Sequence, residues 1–591
     1  MNTVLNITHS ILGQPWRWRM LETDARDPGF APDDLVTQLL LARGCPRDAL
    51  AAHKAPSIRA FMPDPSIFRD MDRAADRLAN AVQAGEQIAV FGDYDVDGAT
   101  SAALMILLLR DLGLEARSYI PDRLMEGYGP SGPALVRLKD EGASLIITVD
   151  CGAQAFEALE MARVAGVDVV VVDHHKCASA LPHALALVNP NRLDETEGAA
   201  HGHLAAVGVA FLLGAALIRA LRTRGFFADR PEPKLLDLLD LVALGTVADV
   251  ASLKGLNRAF VAQGLKVMAK RGNIGIDALL TASRLTRAPT STDLGFALGP
   301  RINAGGRVGK SDLGVRLLTT RDPGEAERIA TELDRLNEER RAIEGIVQEA
   351  AEMLAAHKSN RAVIVVAGHG WHPGVIGIVA GRLKEKFGRP ALVIALDDAG
   401  IGKGSGRSIP GVDLGAAVLA AKEADLLVAG GGHAMAAGLT IAEDRIEAFG
   451  DFLSERLDAA VTRAMGDRAL LLDAVLSARG VTPDLVTTME AGGPYGMGWP
   501  QPRVVAGPVR VLKADVVGNG HVRAIVSGDC PGGGGGTLKA VAFRQADTAL
   551  GQALLGAAPH RRLWLAGRAR IDDWGTRPAA ELHIDDAAWA D

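Results

Sequence analysis

Three short apolar runs, Gln87–Phe91, Ser144–Val149 and Val167–Val172, each end in a turn of ionisable residues. The first runs into GDYDVDG and then a helix-period segment, Ala99–Leu112; the second into Asp150-Cys151-Gly152 and a helix-like Ala153–Val164; the third into Asp173-His174-His175. Apolar runs without polar alternation have no face to leave in water. Separated by amphipathic helices, they predict a parallel sheet covered on both sides. In such a sheet the strands' carboxyl ends open onto one edge, where ligands bind. Asp93, Asp95, Asp97, Asp150, Asp173, His174 and His175 are therefore expected to converge there.

At 591 residues the chain exceeds one core, so several domains are expected. Residues 1–75 read as a partly helical lead-in broken by prolines, Pro28, Pro32 and Pro46 among them. Residues 76–320 hold the sheet pattern, and 321–360 a long charged helix, Pro323 to His357, read as a connector. Strand–helix alternation resumes over 361–460, through Ala362–Ala367 and Pro390–Leu396. From 461 to 591 short strands between Gly, Pro and Asp turns predict a small β-barrel. The glycine run Gly532–Gly536 reads as a loop tip, since no Lys-Ser/Thr helix start follows it.

Several carboxylates cannot share one site as bare charges; cations or protons must offset them. Carboxylate oxygens with one or two imidazoles suit Mn²⁺ or Mg²⁺, and a pair of such ions is the usual apparatus of phosphoester hydrolysis. An Asp-rich helix cap and a surface His pair are the plainer readings of each cluster taken singly. A zinc site using Cys151 or Cys177 is an alternative. Four scattered cysteines make no disulfide framework, no secretory leader is visible, and Phe211–Leu217 is too short to span a bilayer. A reducing, cytoplasmic setting without membrane attachment is expected. The net charge of -7 excludes a broadly basic coat but not a local basic groove, and with aromatics at 4% no wide stacking platform can be read from composition. GKGSGRS (Gly402–Ser408) reads as a glycine-rich loop whose N–H groups, with Lys403, Ser405 and Arg407, could hold an anion; a tight structural turn is the alternative. His372 and His433, in glycine-rich turns, are substrate contacts or structural groups.

Val90–Gly98, Thr148–Gly152, Val170–His175 and Gly245–Val250 (GTVADV) resemble, in order, the four motifs of the DHH phosphoesterase superfamily. Ile120–Gly129 (IPDRLMEGYG), Gly299–Leu318, the linker LNEERRAIE, Trp371–Leu383, Gly402–Ser408, Gly431–Ile441 and Gly493–Pro502 resemble its RecJ branch, which covers nearly the whole chain from about residue 50. The resemblance implies a parallel-sheet DHH domain, a second α/β (DHH-associated) domain and an oligonucleotide-binding (OB) barrel. It implies exonuclease action on single-stranded DNA from a 5′ end in recombination and repair, by a monomer working beside a helicase and a single-strand-binding protein. By motif position it makes Asp95, Asp97, Asp150, His174 and Asp249 ligands of two Mn²⁺ or Mg²⁺ ions, with Asp150 bridging. Asp93 is a ligand or a supporting group, and His175 faces the scissile phosphate. Ser405 and Arg407, with Arg301 or Arg307, would hold a 5′-phosphate; Asn303, Lys403, His372 and His433 join the substrate-binding set. Two positions depart from the pattern: Phe91 stands where some members have a metal-binding histidine, and Trp499 where an Asn is expected. The rivals are a DHH enzyme for short oligonucleotides or cyclic dinucleotides, and an inactive scaffold in replication or repair.

Overall fold

The computed structural model describes residues 3–19, 34–123, 125–528, 536–558, 560–572 and 578–590; Pro28, Pro32 and Gly532–Gly535 lie outside them. The three apolar runs form β1 (Ile88–Gly92), β3 (Leu145–Val149) and β4 (Asp168–Val172), flanked by β2 (Arg117–Tyr119) and β5 (Ala186–Val188). The five strands are all parallel, in the order β2-β1-β3-β4-β5. Alternate residues serve opposite faces. Val90, Ile147 and Val170 pack under α1 (Val96–Asp111) and α2 (Ala206–Thr223), while Phe91, Ile146 and Val171 pack against Leu135 and Leu159 on the other side. This double cover explains the unbroken apolar strands. The strand order reverses between β1 and β3, which makes their shared carboxyl edge the switch point where open α/β sheets bind ligands.

By length and composition α2 could cross a membrane, but most of it is buried in this core. Helix α3 (Leu239–Ala248) packs on α1 and brings Asp249, its C-cap, to the same edge. Helix α4 (Gly299–Val308) packs along the connector α5 (Pro323–Ala356), whose buried Ala326, Leu333 and Leu336 join the first core and whose Val347, Ala351 and Ala355 join the next.

The second domain is a mixed sheet. Strand β6 (Ile364–His369) precedes α6 (Ile376–Phe387), β7 (Ala391–Leu396) and β8 (Ile401–Arg407); β9 (Ala429–His433) and β10 (Ala436–Ala442) complete it in the order β9-β10-β8-β7-β6. The GKGSGRS segment is thus a strand in the middle of a sheet, not a loop. Its glycines point inward: a Cβ on Gly402, Gly404 or Gly406 would meet Ile394, Leu439 or Leu414 at 2.5–2.8 Å. The intervening Lys403, Ser405 and Arg407 face out.

Strands β11 (Val504–Val517), β12 (His521–Gly528), β13 (Thr537–Ala542), β14 (Leu563–Asp572) and β15 (Ala579–Trp589) form a barrel, closed by β11–β14 pairing and by parallel β13–β15 pairing. The lead-in is built into it. Trp16–Trp18 pairs with Leu470–Leu472, the buried Trp16 indole donates to Asp586 (3.0 Å), and Arg19 and Arg43 converge on Asp473 at 3.1 and 3.0 Å.

Candidate active site

Each ionisable cluster is set by the backbone it follows. Asp95 caps α1, accepting from the Gly98 amide at 3.0 Å, and Gly98 must be glycine because a Cβ there would lie 2.4 Å from the Asp93 carbonyl oxygen. Asp97, on the first turn of α1, accepts from the Ala206 and Val207 amides at 2.7 and 2.9 Å, so the start of α2 fixes it. Asp150 follows β3 with φ +60°, in the left-handed region, its amide bonded to Val172 (2.9 Å). Asp173 follows β4 and accepts from the amides of Ala153, His174 and His175 and from His175 Nδ1 at 2.8 Å. Three of these four bonds go to Oδ1, which makes Asp173 an orienting group for His175.

Possible ligand atoms gather in three overlapping groups: Asp93, Asp95 and Asp150; Asp97, His174 and Asp249; and Asp150, His174 and His175, each within 4.8 Å. Asp150 and His174 each belong to two of them. His174 Nε2 lies 3.2 Å from Asp150 and 3.8 Å from Asp97, and its Nδ1 is 3.9 Å from Asp249.

Buried carboxyls this close resist ionisation. Burial first, and the Asp95 charge second, push Asp93 up to about 8 and Asp97 to about 7. Burial and then Asp97 push Asp249 to about 9, and burial and then Asp95 and Asp97 push Asp150 well above the usual carboxylate range. Burial and then His175 lower His174 to about 4, a neutral imidazole suited to ligation. For His175 burial is outweighed by the Asp173 hydrogen bond and charge, which raise it to about 9. Asp173 is held down at about 2 against burial, chiefly by His175. Asp93 Oδ1, Asp150 Oδ1 and His174 Nε2 are buried with no hydrogen-bond partner among the described residues. Such atoms are costly to leave unmatched, and divalent cations held by these overlapping groups would satisfy them while replacing the protons. The donors are oxygen and imidazole nitrogen, as Mn²⁺ or Mg²⁺ require. No ligand group among the described residues includes sulfur: Cys151 is packed in the apolar layer and Cys177 faces Asn189, so the zinc alternative falls. Phe91 turns into that layer as well, stacked on Tyr119 at 5.2 Å, and supplies nothing to the cage.

Across the cleft, Arg407 Nη1 donates to Ser405 Oγ (3.1 Å). A Cβ on Gly377, in the first turn of α6, would come within 2.9 Å of Ser405 Oγ and 3.1 Å of Arg407 Nη2. The bare glycine leaves a cradle of helix N-terminus, hydroxyl and guanidinium, the donor set an anion needs. Arg307 donates to the Gly374 carbonyl (2.7 Å), and burial, then Arg123, Arg340 and Arg407, lower it to about 10. Arg301 instead binds Asp334 of α5 and the Ala297 carbonyl, both at 2.8 Å. Asn303 and Arg307 line a cavity of about 1160 Å³ with Arg341, Arg382, Lys386 and the barrel's Arg544. Lys403 and His433 are exposed, and His372 Nδ1 accepts from the Gly374 amide (3.0 Å).

Sequence reasoning assigned no role to Arg123 or Tyr128. Arg123 sits 5.0 Å from the Tyr94 ring and faces Asp93 on one side and Arg407 on the other. The Tyr128 hydroxyl is 3.0 Å from the Asp150 carbonyl oxygen. Both lie in IPDRLMEGYG, where charged and aromatic residues in a Pro- and Gly-bounded loop beside a sheet edge were the available signal.

Residues 87–246 match the family model for the N-terminal domain of the DHH family, 341–459 that for the DHHA1 domain, and 472–586 that for the RecJ OB domain. The single-stranded-DNA-specific exonuclease RecJ of Salmonella typhimurium is 39% identical over 543 residues, covering 89% of this chain and 92% of that protein. The crystal structure of RecJ from Thermus thermophilus in complex with Mn²⁺ matches with a TM-score of 0.73 at 30% identity, over 94% of this chain and 75% of that one. Its complex with Mg²⁺ matches with a TM-score of 0.68 at 28% identity, over 94% and 74%.

Proposed function

This chain belongs to the RecJ family of single-stranded-DNA-specific exonucleases, and from that premise we propose that it removes 5′-mononucleotides stepwise from a 5′ end. The observation that carries this polarity is the anion cradle of Ser405, Arg407 and Gly377, joined to the carboxylate–imidazole cage by Arg123, close to both Arg407 and Asp93, and by Arg307, close to both Arg407 and Asp95. A strand whose terminal phosphate rests in the cradle presents its first phosphodiester to the cage.

Asp93, Asp95, Asp97, Asp150, His174 and Asp249 would hold divalent ions, which supply an acidified water and charge neutralisation at the phosphate. Asp150, common to two ligand groups, would be the ligand they share. Asp173 keeps His175 protonated at neutral pH and directed by its Nδ1–H, so Nε2–H is free to donate to a phosphate oxygen as negative charge builds. Water oxygen attacks phosphorus, the bond to the 3′-oxygen of the terminal nucleotide breaks, and that oxygen leaves as a hydroxyl after protonation. The shortened strand keeps a 5′-phosphate, so each product end is the next substrate end. The cavity lined by Arg341, Arg382, Lys386 and Arg544 would carry the trailing strand towards the barrel. The barrel, and a cavity that brings its Arg544 together with Arg307, Arg341 and Arg382, favour a polymer over the short-oligonucleotide and cyclic-dinucleotide alternative, and the intact cage disfavours the scaffold. The protein acts as a cytoplasmic monomer, beside a helicase and a single-strand-binding protein.

The polarity is tested by comparing strands bearing a 5′-phosphate or a 5′-hydroxyl. The wild-type enzyme should prefer the phosphate, and Arg407→Ala should lose at least about tenfold on phosphorylated strands and far less on hydroxyl ends, the loss of a charge-assisted contact. Equal losses on both ends would refute the cradle.

A further inference from the structure

We propose that Tyr128 is a positioning residue for this reaction, fixing the Asp150 backbone and the His175 ring through one hydroxyl group. The inference rests on the metal-dependent nuclease reading above.

Asp150 has φ +60°, a left-handed conformation that L-residues other than glycine adopt uncommonly and that the surroundings here hold in place. Two contacts do so here: its amide donates to the Val172 carbonyl at 2.9 Å, and its carbonyl accepts from Tyr128 Oη at 3.0 Å. A phenol has one proton, and with that proton given to Asp150 the oxygen turns a lone pair to His175 Nδ1, 3.2 Å away. The Nδ1–H of His175 therefore lies between Asp173 Oδ1, at 2.8 Å, and Tyr128 Oη. The two rings meet edge to face, centroids 5.7 Å apart at 73°. Tyr128 Oη also lies 3.5 Å from Nε2, so it is Asp173 that selects Nδ1 while the hydroxyl holds the position of the ring as a whole.

A packing role does not account for this side chain. Tyr128 is 56% exposed and belongs to no apolar cluster among the described residues. It is flanked by Gly127 (φ +85°) and Gly129 (φ +79°), so the loop takes a path that glycine allows on both sides of the tyrosine. The loop is shaped to deliver a hydroxyl to the Asp150 peptide.

The test uses the full chain with Tyr128→Phe, which keeps the ring and removes only the hydroxyl. Three quantities are measured: Mn²⁺ affinity without DNA by calorimetry, single-turnover cleavage of a 5′-phosphorylated strand, and affinity for that strand. Losing an orienting partner of a metal site typically costs about 10–100-fold in metal affinity or activity. We expect a loss of that order in the cleavage rate, weaker Mn²⁺ binding, strand affinity within about twofold of wild type, and an unchanged melting temperature. Wild-type cleavage and Mn²⁺ affinity in the variant would overturn the assignment. A fall in strand affinity that accounts for the whole loss would overturn it too, by making Tyr128 a substrate contact. If the wild-type chain failed to cut DNA while Tyr128→Phe still weakened Mn²⁺ binding, the nuclease reading would fail and the positioning of Asp150 would stand.

Discussion

Four buried carboxyls, Asp93, Asp97, Asp150 and Asp249, carry the centre of the account, and what they share is an unfavourable ionisation that a cation relieves. Without one, Asp93 and Asp249 titrate at about 8 and 9 in the folded chain, against about 3.9 for a free aspartate. Between those limits the folded state binds more protons than the unfolded one. The stability these carboxyls lend is therefore complete at low pH and is lost as pH rises through their folded values. His175, raised to about 9, acts in the same direction; His174, lowered to about 4, and Asp173, at about 2, act in the opposite one, at lower pH. The expected outcome is that the metal-free protein melts at a falling temperature from pH 6 to 9, and that the rise produced by Mn²⁺ grows over the same interval. A Mn²⁺ effect that does not vary with pH would contradict the cage. The convergence of Asp93, Asp95, Asp97, Asp150, His174 and His175 was legible in the sequence because each follows a strand end, and strand ends in a parallel sheet share one edge; Asp249, at the C-terminus of a helix, was reached only through the resemblance of GTVADV to a family motif. Arg123 and Tyr128 were not legible, because an irregular loop has no period from which a side chain's direction can be inferred.

At the scale of elements, the alternation of apolar runs and helices led directly to the parallel sheet, and the closed barrel followed from short strands between turns. The failure was β8. GKGSGRS was read as a loop because glycine is depleted in strands, but here every second position is packed so tightly that only glycine fits, and the polar positions between them share the outer face. The period of two was present, masked by residues chosen for closeness to the neighbouring layer. Gly404 tests this: a Cβ there would lie 2.7 Å from Leu439 Cδ1. Gly404→Ala should destabilise the second domain by about 1–3 kcal/mol, as overpacking does, and lower the preference for 5′-phosphorylated strands, because Ser405 and Arg407 ride on the same strand. An unchanged melting temperature would show that the sheet has room the contacts deny.

For the whole molecule, the sequence foretold the order of parts but not how they are fastened together. Arg258 of the first domain is fully buried and donates to the carbonyls of His53 in the lead-in and of Gly492, Gly493 and Pro494 before the barrel, with its guanidinium 4.8 Å from the Trp499 ring. Trp499, the departure from the family pattern, is the lid of this joint and donates its own indole N–H to Gly492 at 3.1 Å. No local pattern announces a contact between residues 53, 258 and 499, which meet only in the finished fold. Arg544, next to the barrel strands, lines the same cavity as Asn303 and Arg307 of the first domain and Arg382 and Lys386 of the second. The most direct measurement incubates the purified chain, with Mn²⁺ or with chelator, on single-stranded and duplex DNA labelled at either end, with Asp150→Ala as control. The account predicts Mn²⁺-dependent, early release of labelled mononucleotide from the 5′-labelled single strand alone, and none from Asp150→Ala. Early release from the 3′ label, equal attack on duplex, or full activity in chelator would contradict it.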